Sequence, residues 1–284
     1  MTFSSLGKKR RMKRLLSNGK MLIVPVDDSL IDGAKNGLYD LDNTIRNIAN
    51  ASPSAIMGYK AASEYVGLNF DVPFIYNVTA STVLNSHTRK VMIATVENAI
   101  SSGADCVAVH INFTDEYESE MLAQFANISN ECDKYGVPLF ALAYPRKSVH
   151  GKDYNYFDLR ESNPKEYAEL VAHCVRVVCE LGADIVKTQY TGDKETFGLV
   201  TGAACGRPVV IAGGPEEPVE ESLQKISDSI CSGGAGICFG RNIFNSQHIL
   251  EYITAAKSII FDGCDYSTAT VNYYNSIGDS ENGE

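Results

Sequence analysis

The 284-residue chain is 44% hydrophobic, 9% aromatic and 21% charged, with a formal net charge of −10. This is the composition of a folded globular protein, not of a disordered one. The acidic balance argues against nucleic acid as a partner, because phosphate backbones are drawn to basic surfaces, and no apolar run approaches the roughly 20 residues that span a bilayer, so no membrane partner is expected.

The chain opens with "MTFSSLGKKRRMKRLL", whose basic cluster is Lys8, Lys9, Arg10, Arg11, Lys13 and Arg14. No apolar stretch follows these charges, as a signal peptide would require. Residues 1–20 are read as a basic helix with Met12, Leu15 and Leu16 turned inward and the charges in solvent. The competing reading is a localisation or nucleic-acid patch. The 8 cysteines form no CxxC pair and no zinc-ligand spacing. Most lie in apolar runs such as "ADCVAVH" and "AGICFG", where a free thiol is a small hydrophobe. A reduced, cytoplasmic protein is expected.

Short apolar runs of strand character then recur: "MLIVPV" (21–26), "SAIMGY" (54–59), "VPFIYNV" (72–78), "ADCVAVHI" (104–111), "VPLFALAY" (137–144), "ADIVKT" (183–188), "RPVVIAG" (207–213) and "AGICFG" (235–240). Between them, "DNTIRNIAN", "VMIATVENAISSG", "YESEMLAQFANISNECDKYG", "PKEYAELVAHCVRVVCELG", "EESLQKISDSICSGG" and "NSQHILEYITAAKSII" repeat apolar residues at helical spacing, and several close on glycine. The strand runs are apolar throughout, as parallel strands buried on both faces are. Eight such βα units predict a single (β/α)8 TIM barrel. The alternative, a doubly wound open sheet, carries a phosphate loop after its first strand, and neither GxGxxG nor GxxxxGK[ST] occurs here. The expected organisation is an N-terminal helix (1–20), a barrel domain (21–262) and a polar tail (263–284) ending in a disordered "GDSENGE".

In a TIM barrel the chemistry gathers at the C-terminal ends of the strands. Those positions hold Asp27-Asp28-Ser29, Tyr59-Lys60, His110-Ile111-Asn112, Tyr144-Pro145-Arg146-Lys147, Lys187-Thr188, Gly213-Gly214-Pro215 and Gly240-Arg241-Asn242. Glycine turns after strands 7 and 8, leading into helix N-termini, offer backbone N–H groups to a phosphate, with Arg241 as a charged donor; otherwise they are tight turns and Arg241 faces solvent. Alternation puts Ile185 and Lys187 on one face of strand 6. Facing the barrel, Lys187 meets desolvation and the nearby Arg146, both of which favour a neutral amine. Such an amine condenses with a ketone or aldehyde to a Schiff base. Tyr144, on the adjacent strand, is placed to move a proton, and Asp27 is a second acid/base or orienting group. The competing reading of Lys187 is a rim lysine paired with Asp27.

The segments "VPVDDSLIDGAKNGLYDL", "AYPRK", "DIVKTQYTGD", "VVIAGGP" and "GICFGRNIF" resemble, in this order and over essentially the whole chain, the archaeal-type class I fructose-bisphosphate aldolase family. That family also holds heptulosonate-type synthases and an autoinducer-2 phosphate thiolase. The resemblance implies a TIM barrel with Lys187 as the Schiff-base lysine, Tyr144 as the proton carrier and Asp27 as the strand-1 aspartate. It further implies phosphate loops at Gly213-Gly214 and Gly240-Arg241, and Arg146, Asp28 and Lys60 complete the substrate-binding set. The chain departs from the pattern in having Asp28-Ser29 for "HG", Lys147 for the glycine of "YPRG" and Tyr59-Lys60-Ala61 for "HKG". The implied activity is a metal-independent aldolase, with no cofactor, acting on a phosphorylated ketose with a dihydroxyacetone phosphate-type donor. The implied assembly is a homo-oligomer built from pentamer rings or decamers. Alternatives are an acyl-transferring thiolase, a zinc-dependent aldolase and a non-catalytic sugar-phosphate-binding barrel.

Overall fold

The apolar runs form a closed barrel of parallel strands in the computed structural model, which describes residues 6–84 and 87–281. The strands are β1 (Met21–Pro25), β2 (Ala55–Gly58), β3 (Phe74–Asn77), β4 (Cys106–Phe113), β5 (Leu139–Pro145), β6 (Ile185–Thr188), β7 (Val209–Ala212) and β8 (Gly236–Cys238). Each pairs in parallel with the next, and β8 closes onto β1 with Met21 opposite Gly236. The TIM barrel holds and the open sheet is excluded. At the closure a Cβ on Gly236 would lie 1.7 Å from the Met21 carbonyl oxygen, so a side chain there would prise the two strands apart.

Alternation along the strands divides the core in two. Met21, Ile23, Met57, Ile75, Ala108, Phe140, Leu142, Ile185 and Val210 cluster inside the barrel. Leu22, Val24, Ile56, Val107, Val109, Val186 and Ile211 belong to the larger outer cluster beneath the helices. The helices begin and end where the sequence supplies caps: Asn163 accepts from the Glu166 N–H ahead of Pro164, and Gly136 takes the left-handed conformation (φ 65°) that closes Glu118–Tyr135.

The N-terminal helix spans Leu6–Leu15. Leu15, with Met12 and Leu16 against it, joins the inner cluster and stops the N-terminal end of the barrel. Its charges are not all solvated, contrary to expectation. Lys8 is 4% exposed and bonds Asp184 at 2.7 Å and Asp133 at 2.6 Å. Arg11 donates to the Gly136 carbonyl at 3.0 Å, and Arg14 to Asp105 at 2.9 Å. The acidic residues at the bottom of the barrel turn the basic cluster inward, because burying a paired charge is far less unfavourable than burying a lone one.

Three further segments differ from the sequence reading. Residues 91–92 are not helical but pair with Thr79–Ala80 in a small antiparallel hairpin, and the helix starts only at Val96. A second hairpin, Lys147–Val149 with Lys152–Tyr154, follows β5. The expected polar tail is instead a helix over Tyr266–Glu281. Ala269, Tyr273 and Ile277 recur every four residues and face the molecule, and Asp265 caps the helix by accepting the Thr268 N–H at 2.9 Å. Residues 282–284 of the supposed disordered end lie outside the described residues. Among the described residues no helix is long and apolar enough to cross a membrane.

Candidate active site

The C-terminal ends of the strands open into a cavity of about 660 Å³. Nine of the residues expected to form the site line it: Asp27, Asp28, Tyr144, Arg146, Lys187, Gly213, Gly214, Gly240 and Arg241. Lys60 does not. It is the first residue of helix Lys60–Asn69, its side chain is 74% exposed, and Nζ lies 4.0 Å from Glu64 on the outer surface. Lys147, which stands where a glycine was expected, also points elsewhere, with Nζ 5.4 Å from the Tyr154 ring centroid in the hairpin after β5.

Lys187 follows Ile185 up the inner face of β6, in register with Leu142 of β5 and Val210 of β7. Only 9% of it is exposed, and that part faces the cavity. Tyr144 stands one layer above Leu142 on β5 and is likewise buried. The Arg146 guanidinium covers its ring at 5.3 Å and is held by Asn155, which accepts from Nε at 2.6 Å. Asp27, beyond the end of β1, is 6% exposed and accepts a 3.1 Å bond from Asn77 Nδ2.

The charge state of Lys187 differs from the sequence expectation. Burial opposes the ammonium, but Cys238, Tyr144, Asp27 and Asp28 outweigh it, so the pKa is raised rather than lowered. At neutral pH the Cys238 thiol, pushed up to about 11 by burial, and the Tyr144 phenol, also raised by burial, are uncharged. Among these four, Asp27 and Asp28 are the carboxyl groups, and they favour the ammonium against burial. Burial and then Asp28 raise the Asp27 carboxyl in turn, with Lys187 and Asn77 pulling the other way. The site thus sets a lysine drawn toward its ammonium form against a carboxyl that burial makes reluctant to ionise. The lysine whose pKa does fall is Lys90, brought to about 7 by burial and then by Arg146. It lies under the rim, bonded to Ser81 Oγ at 2.6 Å, and does not line the cavity.

On the far side, the two glycine loops are shaped by close packing. A Cβ on Gly213 would meet the Phe239 ring at 3.1 Å, and one on Gly240 would meet Phe244 at 2.9 Å. Gly240 does cap a short helix, Arg241–Phe244. Gly213-Gly214 does not lead straight into one, because the helix after β7 begins only at Val219. Arg241 Nε lies 3.6 Å from Asp28 Oδ2, so Asp28 occupies the near side of the cation expected for phosphate.

Other cavity residues were given no role by the sequence reading. His110 and the hairpin residues Asp153 and Asn155 line it, as does His87. His110 alone carried a signal, standing two residues before Asn112 on the inner face at the end of a strand; the others arrive on hairpins that no apolar period announces. Among the described residues no group of three or more His, Cys, Asp or Glu side chains is arranged to hold a metal ion.

The pattern of the DeoC family, described as DeoC/LacD family aldolase, matches residues 21–246. The 2-amino-3,7-dideoxy-D-threo-hept-6-ulosonate synthase 1 of Archaeoglobus fulgidus is 35% identical over 260 residues, covering 91% of this chain and 92% of that protein. The 2-amino-4,5-dihydroxy-6-oxo-7-(phosphonooxy)heptanoate synthase of Streptomyces griseus is 33% identical over 231 residues, or 80% of each chain. The structure of an archaeal fructose-1,6-bisphosphate aldolase with its catalytic lysine covalently bound to the carbinolamine intermediate superposes with a TM-score of 0.77 at 26% identity, covering 89% of this chain and 99% of that one. The chain is an enzyme that belongs to the DeoC/LacD aldolase family.

Proposed function

We propose that the protein is a class I aldol synthase that joins a dihydroxyacetone phosphate-type donor to an aldehyde, with Lys187 as the amine that forms the imine. The observation that carries this reading is the position of Lys187: a buried amine on the inner face of β6, open only to the cavity, with Tyr144 on the adjoining strand and Asp27 across the mouth. Lys90 has the lower pKa but no access to that space, and the nucleophile must reach its substrate.

The residues fit the steps in order. Lys187 gives up a proton, for which Asp27 is the basic neighbour, and the free amine adds to the donor ketone. Loss of water from the carbinolamine gives an iminium, which withdraws electrons from the neighbouring carbon. A carboxylate takes the proton from that carbon, and the enamine attacks the aldehyde. As the new C–C bond forms, the aldehyde oxygen takes a proton from Tyr144, which its raised pKa keeps as a phenol at neutral pH. Water then hydrolyses the iminium and returns the amine, and the proton taken from carbon passes from the carboxylate to restore the Tyr144 phenol.

The loops after β7 and β8, with Arg241, suit the donor phosphate. At the opposite side, Arg146, held over Tyr144 by Asn155, suits a carboxylate on the acceptor. A 2-amino-4,5-dihydroxy-6-oxo-7-(phosphonooxy)heptanoate divides at its C4–C5 bond into dihydroxyacetone phosphate and a four-carbon 2-amino-4-oxo acid, and we assign this chain to a reaction of that type in preference to one with glyceraldehyde 3-phosphate. The test is to supply dihydroxyacetone phosphate with each aldehyde in turn and follow products by mass. Formation of the seven-carbon amino acid supports the assignment. Consumption of glyceraldehyde 3-phosphate alone moves it to the fructose-bisphosphate reaction, and consumption of neither aldehyde overturns it.

A further inference from the structure

On β4, Val109 and Ile111 belong to the outer core, which leaves His110 and Asn112 on the inner face. His110 is 9% exposed, lines the cavity, and sets its ring edge-on to that of Tyr144, with centroids 5.1 Å apart. Its tautomer follows from its neighbours. The Thr88 carbonyl can only accept, so Asn112 donates to it through Nδ2 at 2.6 Å and turns Oδ1 toward His110 Nε2 at 3.0 Å. That oxygen accepts as well, so the proton is on Nε2 and Nδ1 carries a lone pair. No described residue donates a hydrogen bond to Nδ1.

The ring is held by Asn112 and the main chain beneath it by a second set of bonds. The His110 backbone N–H donates to Thr79 Oγ1 at 2.8 Å, Thr79 Oγ1 donates to Asn77 Oδ1 at 3.2 Å, and Asn77 Nδ2 donates to Asp27. One buried chain of hydrogen bonds thus ties the His110 backbone to the carboxylate facing Lys187, and the Asn112 contact at Nε2 sets the ring on that anchored backbone. Burial, then Lys90 and Arg146, keep the imidazole neutral, so it stays an acceptor at working pH.

We propose that His110 is a specificity-determining residue whose Nδ1 accepts a hydrogen bond from the hydroxyl on the donor carbon that forms the new bond. The inference rests on the aldol reading above and adds to it a reason for choosing a hydroxylated donor. With the ketone carbon on Lys187 and the acceptor oxygen at Tyr144, the group that meets a ring lying edge-on to Tyr144 is the substituent on the bond-forming carbon. A site built to pair a hydroxyl disfavours the analogue that lacks it, because the acceptor is then left unpaired.

The test compares dihydroxyacetone phosphate with hydroxyacetone phosphate, which lacks that hydroxyl, as donors toward one aldehyde. In the wild type kcat/KM should favour the hydroxylated donor by about tenfold or more, the worth of one hydrogen bond. In His110→Phe the preference should fall by about tenfold, almost wholly through the hydroxylated donor, and His110→Gln, which restores an acceptor, should recover part of it. If circular dichroism shows that the Phe variant does not fold, His110→Ala takes its place with the same expectation. An unchanged ratio, or an equal loss with both donors, overturns the proposal and leaves His110 as wall. Borohydride reduction of the wild type with each donor separates the two claims. Adducts with both donors but no change in ratio sink only this inference, whereas adducts with neither sink the aldol reading beneath it.

Discussion

The barrel buries a lysine at each end, and the two are held in opposite ways. At the bottom, Lys8 is enclosed by Asp184 and Asp133 at hydrogen-bond distance, and Asp184 also accepts the Leu139 N–H at 2.9 Å. Burial pulls the Lys8 pKa down, but these two partners raise it above its ordinary 10.5, and the two ion pairs fasten a helix over the barrel. At the top, Lys187 has its countercharges in the turn after β1 and its open side toward a cavity. A charge clasped between two carboxylates builds structure, and one that opens onto a cavity is available for chemistry.

Substitution should separate the two lysines cleanly. Lys187→Ala should lower turnover on the order of 10⁶-fold, as loss of a covalent nucleophile does, while urea unfolding shows no loss of stability; a steady-state assay with residual activity near wild type would break the comparison. Tyr144→Phe should reduce kcat by about 10²–10⁴-fold and still form the borohydride adduct, since imine formation does not use the aldehyde-side proton. Lys8→Ala should do the reverse of Lys187→Ala. It should cost about 3 kcal/mol in urea unfolding, because Asp184 stays buried without its cation, and leave kcat within about twofold.

The sign of the Lys8 shift sharpens this further. Its folded pKa is raised, so its contribution is fully present below about pH 10.5 and is lost as pH rises through the higher folded value. Wild-type stability should therefore fall over that alkaline range by more than the variant's does. The smallest effect is expected from Lys60→Ala. That side chain lies outside the cavity, and kcat/KM should be unchanged within error.

Much of this contrast was legible in the sequence. Uninterrupted apolar runs announce the eight strands, and alternation along "DIVKT" and "ALAY" aims Lys187 and Tyr144 inward. Alternation gives a direction and no charge state, however. The charge on Lys187 answers to groups far off in the chain, Asp27 and Asp28 some 160 residues away among them, and local sequence is silent on that sum. The same limit hid Lys8, whose partners come from two distant elements. It also hid Lys60, where the helix begins at once after the strand and turns the side chain outward. The C-terminal helix was missed because its inner stripe is only Ala269, Tyr273 and Ile277, too thin an apolar signal to outweigh the polar residues between them.

The most direct test is to incubate the protein with dihydroxyacetone phosphate, reduce with borohydride and map the modified peptide by mass spectrometry. The account predicts a single reduced adduct on Lys187, although its pKa is raised and that of Lys90 is lowered to about 7. An adduct on Lys90, or an unmodified protein that still turns over substrate, would contradict it.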